Sequence, residues 1–113
     1  MKWLALALVV ACDPPPLEMS EYACPTAGTQ LTYANFGATF LGVSCNTCHG
    51  AAVGNRHGAP ELFRFDTLDE VQHHRDRIFV RAAASNTSMP PGPVDPATDE
   101  RDRLAEWLVC GAP

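Results

Sequence analysis

The residues best suited to chemistry are Cys45-Asn46-Thr47-Cys48-His49. Two thiols about one helical turn apart can each add to a vinyl group of one haem, and the imidazole beside the second reaches the iron from the same face. The C-x-x-C-H spacing is therefore read as a c-type haem attachment site. Its C-x-x-C half also suits a thioredoxin-like redox pair or half of a zinc site. A redox pair should follow a buried strand and open a helix in a βαβ unit. The residues ahead of Cys45 look helical instead, and no later segment reads as a parallel strand. Tetrahedral zinc needs two further ligands at tight spacing, and His57, His73 and His74 form no compact second pair with a cysteine.

The elements that must position this motif are legible as amphipathic stretches. Asp66–Ala84 opens with Thr67 and Glu70 at capping-box spacing and places Leu68, Val71, Ile78 and Ala82 on one apolar face. The last segment begins with Thr98 as N-cap followed by two acids. Leu104, Trp107 and Leu108 then share a face, and Gly111 is a suitable terminator. These patterns predict an all-α domain with helices ahead of the motif, in the middle and at the end.

With these elements in order, the chain from about Leu31 onward resembles the class I (monohaem) cytochrome c family. The resemblance rests on Cys45-x-x-Cys48-His49, on Gly37 and Leu41 ahead of it with Phe36 and Phe40 alongside, on Met89-Pro90, and on Leu104 with Trp107. It implies a cytochrome c fold of three main helices around one covalent haem c. In such a fold Gly37 lets the first helix approach the last closely, and glycine inside a helix, costing up to about 1 kcal/mol, wants such a packing reason. Cys45 and Cys48 become the thioether attachments, His49 the proximal ligand of the iron and Met89 the distal one.

Met89 is the methionine left in the folded part, because Met1 belongs to the leader and Met19 to a tether. A thioether on the proline-stiffened loop Ser88-Met89-Pro90-Pro91-Gly92-Pro93 suits a weak axial bond, since the loop must hold the sulfur in place. A methionine that merely fills a gap in the core is the alternative. His73 and His74 compete as ligands, but adjacent helical residues point about 100° apart, so at most one of them faces a common point. His57 reads as a surface residue or a hydrogen-bond partner at a haem edge, and Arg56 and Arg64 as possible contacts for propionates.

Residues 1–11 carry Lys2 and then an apolar run ending in Ala11, which reads as an export signal too short to span a bilayer. Val9-Val10-Ala11-Cys12 resembles the lipobox of bacterial lipoproteins, which implies cleavage before Cys12 and a diacylglyceryl group on its thiol. Residues 12–23, with three consecutive prolines, read as an extended tether that reaches roughly 30 Å, and 24–113 as the cytochrome c domain. Cys24 and Cys110 remain. One precedes the first helix and the other ends the last, so the helix crossing would bring them together for a disulfide that an exported setting favours.

At 113 residues the chain is one small domain. A net charge of -5 with scattered cations excludes a phosphate-backbone partner and a polybasic membrane patch. The expected function is single-electron transfer between redox proteins by a monomer held through its lipid anchor at the periplasmic side of a bacterial membrane. No nucleophile–base constellation suggests an enzyme. A haem-based ligand sensor, or an accessory haem domain of a larger redox complex, is the alternative.

Overall fold

The computed structural model describes residues 12–113. The expected signal peptide, 1–11, lies outside the described residues. The described chain is α-helical, with no strand among the described residues.

Thr32 starts the first helical segment. Its hydroxyl accepts the Asn35 N–H at 3.1 Å, and the Asn35 carboxamide oxygen accepts the Thr32 N–H at 2.7 Å. This reciprocal cap opens one wide turn, Tyr33–Gly37, which runs directly into α1, Ala38–Ser44. The chain breaks helical geometry at Cys45 and resumes as the single turn α2, Asn46–His49.

The middle stretch begins as its capping box predicts. Thr67 Oγ1 accepts the Glu70 N–H at 3.2 Å, and Glu70 Oε2 accepts the Thr67 N–H at 3.1 Å. It is two helices and not one: α3 spans Leu68–His73 and α4 spans Arg75–Ala82, with His74 between them at φ -107°, ψ 18°. There the His74 ring packs on Phe63 with centroids 5.0 Å apart, and Arg75 Nη1 donates to Leu108 O at 2.9 Å. Val71, Ile78 and Ala82 are buried as their spacing predicts, and so is Phe79.

The last helix, α5, spans Thr98–Val109. Ala97 holds the cap position expected for Thr98, and Glu100 Oε2 accepts its N–H at 3.1 Å. Gly111 ends the helix at φ +99°, donating to Leu108 O, while Ala112 N–H reaches back to Trp107 O at 2.8 Å. These two bonds form the glycine-terminated helix end that satisfies otherwise orphan carbonyls.

Leu104, Trp107 and Leu108 are fully buried, and α5 packs against α4 and, at Trp107, against the first helical segment. Trp107 lies against Gly37 so closely that any Cβ at residue 37 would fall within the indole ring. Phe36 meets the same indole edge-on at 6.0 Å. Pro113 O accepts both the Tyr33 N–H at 2.7 Å and the Trp107 indole N–H at 3.1 Å, which ties the start of the first helix to the chain end.

Cys24 and Cys110 are joined by a disulfide. Leu17 and Met19 pack against the core, Met19–Glu21 forms a short 3₁₀ turn, and the Tyr22 ring lies 5.1 Å from Phe79. Residues 17–22, expected as tether, are thus a strap lying on the domain. They can bury apolar surface because α4 and α5 leave Phe79 and its neighbours uncovered on that side.

Candidate functional site

Local helix geometry assembles the motif. The N–H groups of Cys48 and His49 both point at Cys45 O, at 3.1 and 2.9 Å, so one turn carries both thiols and the imidazole. The His49 ring stacks on Phe65 at 4.7 Å, and its Nδ1 lies 2.7 Å from Phe63 O. A carbonyl oxygen only accepts, so Nδ1 carries a proton, and in the neutral ring the lone pair is on Nε2. Asn46 Nδ2 donates to Phe65 O at 2.9 Å, which holds the same Phe63–Phe65 segment. Gly50, next along, has room for no Cβ: the Asn46 carbonyl would stand 2.7 Å from it.

Cys45, Cys48 and His49 line a cavity of about 290 Å³ whose wall also carries Met89, Ile78 and Ala82. The lining is mainly apolar, with Phe63, Phe65 and the prolines of the Met89 loop completing it. Cys45 and Cys48 are free thiols and are not bonded to each other. Burial pushes the Cys45 thiol up to about 12, against a lowering influence of the Arg101 charge and a raising one from Cys48. A thiol so held is protonated at neutral pH, the opposite of the depressed value a redox-active C-x-x-C pair uses.

Met89 is half-buried and sits in irregular chain, so long-range bonds must hold it. Its N–H donates to Arg81 O at 2.8 Å, and its carbonyl accepts from Arg101 Nη1 at 2.9 Å. Arg101 is only 3% exposed. Its guanidinium also reaches Ala82 O, Asn86 O and Pro96 O, and pairs with Asp95 at 3.0 Å. Sequence reading passed over this residue. The available signal was a charged residue on the apolar period of α5, three positions before Leu104.

The remaining candidates divide. His57 is exposed and lines the cavity. His73 and His74 lie outside it, and the His74 ring packs on Phe63 and Phe65. Arg56 lines the cavity but directs its guanidinium at Gly50 O, Ala59 O and Pro60 O, where it folds the 50–60 loop. Arg64 is outside the cavity, half-exposed and 3.9 Å from Glu70. Arg77 and Arg81, unremarked in the sequence, are the further cations on the cavity wall.

Cys12 is exposed. Among the described residues no three His, Cys, Asp or Glu side chains converge as a metal-binding group. Among the described residues no helix is long and apolar enough to cross a membrane. Comparison of the chain with protein-family models, curated proteins and solved structures finds no match.

Proposed function

We propose that this chain is an exported c-type cytochrome of class I fold that carries single electrons. The observation that carries the reading is one cavity lined by two free cysteines, a histidine whose Nδ1 is taken up by Phe63 O, and a methionine. Cys45 and Cys48 would hold haem c through thioether bonds, with His49 Nε2 and Met89 Sδ as the iron's axial ligands. When bound, haem supplies a one-electron couple at its iron.

The chain's own residues do the rest. Phe63 O fixes the His49 tautomer and ring orientation, as partners of metal-ligating imidazoles do. Ile78, Ala82, Phe63 and Phe65 exclude water from the cavity and keep its polarity low, which favours the reduced, less charged state. Arg77 and Arg81 are the cations available there to the carboxylates of the group, in place of Arg64. Cys12 carries the lipid anchor in this reading, and the protein works at the periplasmic side of a bacterial membrane between redox partners, without catalysis of its own.

The test is the visible spectrum of the protein, expressed with its own signal in a host that attaches c-type haem. A covalent chromophore with a sharp reduced α band, and a weak far-red band in the ferric state, is expected. A five-coordinate or bis-histidine spectrum overturns the ligand pair and favours a sensor or a low-potential carrier. A colourless protein overturns the reading altogether.

A further inference from the structure

Asn86 lies between α4 and Met89 and is a buried polar side chain, 7% exposed. Its carboxamide grips the strap in both directions: Oδ1 accepts the Leu17 N–H at 2.9 Å, and Nδ2 donates to Leu17 O at 2.9 Å. The same Nδ2 donates to Phe79 O at 3.0 Å, which anchors the side chain to α4. The Asn86 backbone carbonyl accepts from Arg101 Nη1 at 3.1 Å, and that same nitrogen donates to Met89 O at 2.9 Å. The same nitrogen also donates to Ala82 O at 2.8 Å, so one guanidinium nitrogen gathers the end of α4, the residue that latches the strap, and Met89.

Nη1 has two hydrogens for three carbonyls, so it holds Ala82 O, Asn86 O and Met89 O as one shared cluster and not by one bond each. A cation withdrawn from water must keep its acceptors, and charge-assisted bonds are the strong ones. Displacing Leu17 leaves the Asn86 carboxamide without two of its partners in a buried setting. Asn86 then gains by turning toward water, and its backbone, three residues from Met89, moves with it and disturbs the carbonyl cluster that fixes the Met89 loop.

We propose that Asn86 and Arg101 are positioning residues for Met89, and that docking of the strap at Leu17 acts through them to hold the methionine in the cavity. The ligand role of Met89 rests on the haem reading above; the coupling of strap to loop is a property of the chain alone. In consequence the segment that leads to Cys12 is part of the distal site. Drawing the strap off the domain would loosen Met89 and open the cavity to an outside ligand.

The test uses the full chain and three variants: Leu17→Pro, Asn86→Ala and Arg101→Lys. Leu17→Pro removes the strap's N–H and leaves Asn86, Arg101 and Met89 untouched. Two quantities are read: hydrogen exchange of the Met89 amide, which needs no bound group, and the affinity of the ferric haem protein for imidazole. Losing one such bond should raise Met89 exchange about tenfold in Leu17→Pro, with a parallel rise in imidazole affinity. Asn86→Ala should exceed it. Arg101→Lys, which keeps the charge and loses the fork of donors, should behave like Asn86→Ala. Unchanged exchange in Leu17→Pro and Asn86→Ala overturns the coupling, even where Arg101→Lys fails to fold. Faster exchange with unchanged imidazole affinity overturns the positioning of a ligand. A parent protein without haem defeats the proposed function, and the exchange data still decide the coupling.

Discussion

The two walls of the cavity are held in different ways. Cys45, Cys48 and His49 sit within one helical turn, their spacing set by bonds to Cys45 O, and a single bond to Phe63 O orients the imidazole. Met89 sits in irregular chain, and its place depends on Arg81, Arg101, Asn86 and, through Asn86, Leu17. Local geometry builds one wall, and contacts far apart in sequence build the other. The motif wall should therefore tolerate changes elsewhere in the molecule, while the methionine wall should register them.

The largest effect expected is loss of covalent attachment. Replacing Cys45 and Cys48 together by Ala should leave all chromophore extractable by acidified organic solvent, while the apo fold, assayed by far-ultraviolet circular dichroism, persists. His49→Ala should retain the covalent bond and lose the proximal ligand. A double variant that still holds its chromophore covalently breaks the assignment of the first wall.

Next is the disulfide. It joins residues 86 apart, and in the chain-entropy model its loss costs about 4 kcal/mol, less where a covalent group already constrains the unfolded chain. Cys24→Ser with Cys110→Ser should lower the denaturant midpoint accordingly. Cys110 caps the end of α5, the helix that carries Arg101. Hydrogen exchange should consequently rise more around Met89 than around Cys48 and His49. Equal increases on both sides would erase the distinction between the walls.

Gly37 comes third and sets two magnitudes against each other. Ala in a helical position gains about 1 kcal/mol over Gly, but here its methyl must enter the Trp107 ring. Overpacking of a filled core costs about 1–3 kcal/mol. Gly37→Ala should therefore destabilise, and Gly37→Val more so, in chemical denaturation. A neutral Gly37→Ala would mean that α5 shifts freely against α1.

The Cys45 thiol gives a pH signature of the first wall in protein prepared without any bound group. Its folded-state value, raised by burial from 9.0 to about 12, means the folded chain keeps a proton that the unfolded chain releases. That contribution to stability is complete below pH 9 and is lost as pH rises from about 9 to about 12. Wild type should lose stability over that window faster than Cys45→Ala, as followed by denaturant midpoints. Parallel curves would mean that Cys45 is not desolvated, which would reopen the redox-thiol chemistry.

What was legible in the sequence follows the same division. The helical turn that carries Cys45, Cys48 and His49, the Thr67–Glu70 cap, the Gly37–Trp107 approach, the end of α5 at Gly111 and the Cys24–Cys110 pairing all appear in the structure. Each is a short-range signal or a consequence of one helix crossing. The strap, the break at His74 and the Arg101 clamp were not read. Nothing near Leu17 in sequence announces Asn86, and an arginine between acids reads as solvated until the carbonyls that converge on it are known. Thr98 misled because a good capping residue is only a preference. Glu100 reaches the Ala97 N–H just as well, and the helix starts at the residue expected to cap it.

The smallest effect is expected at Arg64, and its smallness is informative. From sequence it was a candidate for a carboxylate at the cavity, as was Arg56. It is half-exposed, 3.9 Å from Glu70 and outside the cavity lining. Exposed pairs of this kind contribute about 0–1 kcal/mol, and a charge that faces solvent from between Phe63 and Phe65 is screened from the cavity by water and salt. Arg64→Ala should leave the absorption spectrum unchanged and move the denaturation midpoint little. Arg81→Gln, on the wall itself and one step from the bond that holds Met89 N–H, should shift the reduction potential measured by redox titration. An Arg64 variant that shifts the potential as far as Arg81→Gln would show that charge reaches the cavity from the motif side. The methionine wall would then not be the more sensitive of the two.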